Sequence, residues 1–197
     1  VREAAILANA WELLATKPVG DITIEELASG AGLSRPTFYF YFDSREAVIR
    51  VLAANVAERL RETVLRQLAG EATDVDPAFV VHRIAERYMQ RWRAEGPILR
   101  AMVPLYESDP KHRAFWDGIT GEIVDGLAAA IEAERANGRA LSGPDAHDLA
   151  RALVGMAWRA GYDLSLTEPS AETDTRVVDT LTIIWMRALY GTDSPVR

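Results

Sequence analysis

One stretch of twenty residues constrains this chain more than any other. Thr23-Ile24-Glu25-Glu26 has the form of a capping box, in which Thr23 accepts from the backbone N–H of Glu26 while the Glu26 carboxylate reaches back. The helix it opens runs through Leu27 and Ala28 to Gly30-Ala31-Gly32, where a glycine can take the left-handed conformation that ends a helix. Ser34 then caps a second helix with Arg35 and Pro36 in its first turn, where the missing proline N–H would be unpaired anyway. Two short helices joined by so short a glycine turn form a helix-turn-helix layout.

Helix signals dominate elsewhere, and nothing of strand length alternates cleanly with period two. A first helix is expected from about Arg2 to Thr16, ending before Lys17-Pro18-Val19-Gly20. Asp43-Ser44 stops the second short helix, expected to run on to Phe42, and caps a long one from Arg45 to about Leu68. Gly70 to Asp76 reads as a loop. Helices follow over Pro77 to Ala94, Pro97 to Tyr106, Pro110 to Asn137, Pro144 to Leu166 and Ala171 to Tyr190. The expected fold is all-α: a three-helix helix-turn-helix domain over residues 1–50, joined to a larger helical domain over 51–197.

The 197 residues, 49% hydrophobic, suffice for a sizeable core. The absence of cysteine excludes disulfides, thiolate metal ligands and cysteine nucleophiles, and fits a reducing cytoplasm. The apolar runs Leu127 to Ile131 and Leu181 to Met186 are too short to span a bilayer, and no basic-then-apolar leader opens the chain. Since it begins at Val1, a further N-terminal tail is expected. His82, His112 and His147 are isolated, without metal-ligand spacing, and no nucleophile elbow, phosphate loop or dinucleotide fingerprint is present. No cofactor, metal or enzymatic activity is expected, although a carboxylate pair assembled from distant helices stays open. The net charge of −7 argues against coating nucleic acid or an anionic membrane through the overall field.

In the run Leu33 to Phe42, the spacing of Leu33, Phe38 and Phe42 suits packing on the two preceding helices. Arg35 with Tyr39, Pro36 with Phe40 and Thr37 with Tyr41 are then i, i+4 pairs pointing elsewhere. An aromatic run can simply be core, but five consecutive aromatics, Phe38 to Phe42, cannot all face inward from one helix. A surface of Arg, Thr, Tyr and Phe suits a duplex: arginine reads guanine edges or grips phosphate, threonine and proline meet thymine methyls, and tyrosine hydroxyls bond phosphate oxygens. Arg45 can reach the same backbone.

Residues 22 to 48 resemble the DNA-binding signature of the TetR family of transcriptional regulators. The matching features are the Thr-capped helix, Ala28-Ser29-Gly30-Ala31-Gly32-Leu33-Ser34, Thr37-Phe38-Tyr39-Phe40-Tyr41-Phe42, and Ser44-Arg45-Glu46-Ala47. The resemblance implies base-edge contacts from Arg35, Pro36 and Phe40 and phosphate contacts from Thr37, Tyr39, Tyr41 and Arg45, with the caps Thr23 and Ser34 completing the DNA-binding set. Against it stands the charge of residues 1–50, with five basic and seven acidic side chains. Arg35 and Arg45 nevertheless lie on the contact surface, a preceding tail leaves room for further basic residues, and a dimer doubles every contact.

Ser34 to Phe42, Ile131 to Arg135 and Asp179-Thr180-Leu181, followed by Ile184-Trp185 and Tyr190-Gly191, are similar to the ethionamide-resistance repressor subgroup of that family. That resemblance implies a C-terminal body that binds a small molecule and dimerises. Ile84, Tyr88 and Trp92 align along one helix beside Val81, Ala85 and Met89; Trp116, Ile119, Ile123 and Leu127 align on another; Trp158, Tyr162 and Trp185 follow. Such residues also make ordinary core. The expected ligand set is Val81, Tyr88, Met89, Trp92, Trp116, Ile123, Leu127, Val154, Ala157, Trp158, Tyr162 and Trp185. Val154 and Ala157 stand where the subgroup has an asparagine pair, which implies a small, largely apolar ligand.

Homodimerisation is expected on the last two helices, where Ala152, Gly155, Ala160 and Gly161 allow either a partner helix or close internal packing. A ligand among Tyr88, Trp92, Trp116 and Trp185 is expected to tilt the long helix from Arg45 and release the protein from double-stranded operator DNA. The alternative is a helical small-molecule carrier that does not regulate DNA.

Overall fold

The structure, a computed structural model, describes residues 1–69 and 76–192. In chain order it forms α1 (Arg2–Thr16), a 3-10 turn (Val19–Asp21), α2 (Ile24–Gly30), α3 (Arg35–Phe38), α4 (Arg45–Ala69), α5 (Pro77–Ser108), α6 (Pro110–Ala136), α7 (Ala146–Leu164) and α8 (Ala171–Tyr190). There is no strand among the described residues, in keeping with the all-α expectation. Of the loop expected over Gly70 to Asp76, residues 70–75 lie outside the described residues.

Three expected boundaries are corrected. Pro97 does not open a helix, because α5 runs through both Pro97 and Pro104. An interior proline costs about 3 kcal/mol, but Ile98, Leu99, Met102 and Leu105 beyond it are all buried, and each such burial returns roughly 1.5–3 kcal/mol. The second short helix does not run on to Phe42: after Phe38 the chain tightens, with the Phe40 N–H donating to the Thr37 carbonyl (3.2 Å) and the Tyr41 N–H to that of Phe38 (2.9 Å). Phe42 is held in the core, its N–H closing a last turn on the Phe38 carbonyl (3.1 Å), and Ser44 already caps α4 by accepting from the Ala47 N–H (3.1 Å), so the short helix is not continued. Finally, α7 begins at Ala146, because Asp145 is its cap and accepts from the N–H groups of His147 (2.9 Å) and Asp148 (3.1 Å).

The chain resolves into two compact units, one comprising Val1–Glu58 with Glu95–Trp116, the other Arg59–Ala94 with the chain from Asp117 onward. In the first, Ile6, Ala10, Leu14, Leu27, Ala28, Phe38, Phe42, Val48 and Ile49 are buried. Asn9 crosses from α1 to α2, its amide donating to the carbonyls of Glu26 (2.8 Å) and Leu27 (3.1 Å). Gly30 permits this approach, since a Cβ there would stand 2.3 Å from the Asn9 Oδ1, whereas Gly32 supplies the left-handed turn (φ +68°). Arg50 on α4 donates to Asp109 (3.0 Å), and burial holds the nearby His112 imidazole below the usual histidine range.

In the second unit one apolar cluster joins Val81, Leu127, Ile131, Leu153, Trp185 and Leu189, with Val154 and Ala157 packed against it half-buried. Arg93 ties α5 to the segment between α7 and α8, donating to the carbonyls of Leu164 and Thr167 (both 2.7 Å) and to Asp174 (2.6 Å).

Candidate nucleic-acid interface

The local sequence builds the reading turn from its caps. Thr23 Oγ1 accepts from the Glu26 N–H (3.2 Å) and the Glu26 carboxylate takes the Thr23 N–H (2.9 Å), completing the capping box. Lys17 pairs with the same carboxylate. The Lys17 hydrogen bond first, and the Thr23 backbone and hydroxyl after it, hold the Glu26 carboxyl down to about 2. Ser34 caps α3, its hydroxyl accepting from the Thr37 N–H (3.3 Å) and sharing a hydrogen bond with the Thr37 hydroxyl (2.8 Å).

Within the aromatic run, burial and exposure separate sharply. Phe38 is fully buried and Phe42 nearly so, their rings 6.0 Å apart, whereas Tyr39, Phe40 and Tyr41 are 44%, 87% and 39% exposed. Tyr39 rests edge-on against Phe38 (5.7 Å between centroids), so its ring is steadied although the residue is exposed. Pro36 and Arg35 are exposed on the same short helix, and Arg35 has no hydrogen-bond or ion-pair partner among the described residues.

Arg45 differs. Its guanidinium Nη1 donates to the carbonyls of Gly20 (2.7 Å) and Ile22 (3.0 Å), and Nε and Nη2 donate to Glu46 (3.0 and 2.7 Å). Sequence reasoning missed the two carbonyl bonds, as it missed the Asn9, Lys17 and Arg93 contacts, because partners 9 to 81 residues apart leave no periodic signal.

The expected ligand residues divide. Val81, Leu127, Val154, Ala157 and Trp185 share the apolar cluster. Trp92 stands edge-on to Trp158 (5.7 Å) and Tyr162 (6.4 Å), which stack on each other at 5.6 Å. Met89 and Ile123 are buried in the same unit, and burial pushes the Tyr88 hydroxyl up to about 12. The Trp92 indole lies close enough to oppose that shift without forming a hydrogen bond of normal geometry. Trp116 belongs to the first unit. Among the described residues neither the buried Trp92 N–H nor the buried Trp185 N–H has a hydrogen bond of normal geometry, the Trp92 indole standing beside the Tyr88 hydroxyl. Gly161 proves to be an internal-packing glycine, since a Cβ there would lie 2.1 Å from the Trp92 ring; nothing lies within 4 Å of the position a Cβ would take at Gly155.

A two-helix reading head capped at Thr23 and Ser34, followed by a long helix and a separate helical unit, defines a helix-turn-helix DNA-binding transcriptional regulator. Family comparison makes this specific: residues 6–52 match the model of bacterial regulatory proteins of the tetR family, and residues 80–191 match that of the C-terminal domain of transcriptional regulator EthR. The chain belongs to the TetR family and is EthR-like across its C-terminal part. It is 38% identical over 191 residues to the HTH-type transcriptional regulator EthR of Mycolicibacterium smegmatis, covering 97% of this chain and 87% of that protein. To the EthR of Mycobacterium tuberculosis it is 35% identical over 190 residues, covering 96% and 88%. Among solved structures, a putative transcriptional regulator from Saccharomonospora viridis in complex with choline superposes with a TM-score of 0.75 at 18% identity, covering 95% and 96% of the two chains. A putative TetR-family regulator from Mesorhizobium loti gives 0.73 at 16%, covering 96% of each; both show likeness of fold alone. No helix among the described residues is long and apolar enough to cross a membrane.

Proposed function

We propose that this regulator is a cytoplasmic homodimeric repressor that grips operator DNA through the α3 turn and lets go when a small molecule binds its second unit. The observation that carries the DNA half is the pairing of a fully buried Phe38 with an 87% exposed Phe40 two residues on. An aromatic so exposed has no folding role, and beside unpartnered Arg35 it forms the base-reading edge with Pro36. Ser34, Thr37, Tyr39 and Tyr41 flank that edge as phosphate donors, and Thr23, whose hydroxyl donates to Glu26 (2.8 Å), fixes the start of α2 beside it. Residues 1–50 act as the DNA-binding domain and 51–197 as the ligand-binding and dimerising domain. Two reading heads then enter successive major grooves, roughly 34–36 Å apart or a multiple of it.

For the ligand half, support comes from the buried indoles. Unsatisfied buried donors are rare in folded proteins, so Trp92 and Trp185 argue for an apolar ligand that brings at least one hydrogen-bond acceptor, more polar than Val154 and Ala157 alone imply. Helices α4, α5 and α6 each contribute residues to both units and are the elements available to carry a signal. A ligand releases DNA only by binding the incompetent state more tightly. The test is reciprocal: a duplex enriched from a random pool by the protein should weaken binding of a fluorescence-quenching apolar compound by the factor by which that compound weakens the duplex. Equal compound affinity with and without saturating duplex contradicts the switch; failure to enrich any duplex returns the carrier reading.

A further inference from the structure

Arg45 stands where the DNA backbone is expected, yet its hydrogen bonds point into the protein. We propose that Arg45 is a positioning residue that braces the helix-turn-helix and that it does not ligate phosphate; the inference rests on the DNA-binding reading above.

Nη1 holds two carbonyls, Gly20 and Ile22, on either side of Asp21. These residues form the exit of the 3-10 turn and lead straight into Thr23, the cap of α2. The same linker is anchored from its other side by the buried Ile22 side chain. Nε and Nη2 hold Glu46, in the first turn of α4. One planar group thus fastens the entry of α2 to the entry of α4, the two points that bracket the α2–α3 reading head. A guanidinium has five donors in a fixed fork and spans both directions at once; a lysine ammonium is a point charge on a flexible stem and does not.

For Arg45 to reach a phosphate it would have to release both carbonyls and leave the Glu46 carboxylate facing an incoming anion. Glu46 is only half-buried and stays charged: desolvation raises its pKa, but the Arg45 contacts, with its own backbone N–H and the Ser44 hydroxyl, prevail and hold it below the usual range. Arg35 faces no such cost, having no partner to give up among the described residues. The two arginines of the reading head therefore divide the work, Arg35 toward DNA and Arg45 toward the scaffold.

The experiment compares wild type, Arg45→Lys and Arg45→Ala. Each is titrated against the duplex that wild type enriches from a random pool, over a range of salt concentrations, with hydrogen exchange followed at residues 20–23. The brace predicts that both variants bind about tenfold more weakly with an unchanged slope of log K against log salt, and that exchange at residues 20–23 accelerates in both. Lysine keeps the charge, so weaker binding by Arg45→Lys is the discriminating result, and it stands even if Arg45→Ala does not fold. Wild-type affinity in Arg45→Lys, with a slope in Arg45→Ala shallower by about 0.9 for each phosphate that is no longer neutralised, overturns the proposal. If wild type enriches no duplex, the DNA-binding reading fails by itself, and the exchange result decides the brace alone: accelerated in Arg45→Lys it holds, unchanged it is overturned.

Discussion

The reading turn of the first unit and the aromatic group of the second use the same kind of side chain under opposite conditions. In the turn, Phe38 is buried and Phe40 is 87% exposed, with the flanking Tyr39 and Tyr41 also exposed. In the second unit Trp92 is 1% exposed, packed edge-on to Trp158 and Tyr162, and its N–H forms no hydrogen bond of normal geometry among the described residues. Aromatic content therefore says little about role; whether each ring is left exposed or buried says more. Exposed rings suit a surface that meets a partner, and a buried donor without a well-formed hydrogen bond suits a site that receives a ligand acceptor.

The contrast is most sharply broken or upheld within the turn itself. Phe38→Ala is expected to cost roughly 3–5 kcal/mol of stability, while Phe40→Ala stays within about 0.5 kcal/mol and weakens binding of the enriched duplex. Paired denaturant melts and titrations read both effects; a large loss of stability in Phe40→Ala would show that the ring is a packing residue after all. In the second unit, Gly161→Ala places a Cβ 2.1 Å from the Trp92 ring, and overpacking of this kind costs typically about 1–3 kcal/mol. Tryptophan emission should shift with it, whereas Gly155→Ala, with open space around it, should leave both stability and emission unchanged. Matching behaviour of the two alanines would remove the assigned close packing.

The smallest expected effect concerns the cap. The Glu26 carboxyl is held at about 2 against an ordinary 4.5. A depressed folded-state pKa contributes stability above pH 4.5 that is lost as pH falls toward 2. Acid unfolding of wild type should therefore include a component in that window that is missing in Glu26→Gln, and superimposable acid curves would show that the capping box does not stabilise the fold.

Caps and glycine stops are local chemistry, so Thr23, Ser34, Ser44 and Gly32 were legible from the sequence, and with them the reading head. The burial of Phe38 and Phe42 followed from their i, i+4 spacing. Pro97 misled because the cost of a lost N–H is local, while the burial of Ile98 to Leu105 that outweighs it is tertiary. Arg45 was legible as a cation beside the turn and not as a brace, because Gly20 and Ile22 lie more than twenty residues away. The role of Gly161 stayed open for the same reason: Trp92, which requires it, stands on another helix.

The Arg35 guanidinium and the Tyr39 hydroxyl are the groups assigned to the groove, whereas the Tyr39 ring packs edge-on against Phe38. The most direct test is a mobility-shift titration of Arg35→Ala plus Tyr39→Phe on the enriched duplex, with circular dichroism and sedimentation alongside. Loss of specific binding with helix content and dimerisation unchanged is the expected result. Wild-type affinity in the folded double variant would contradict it.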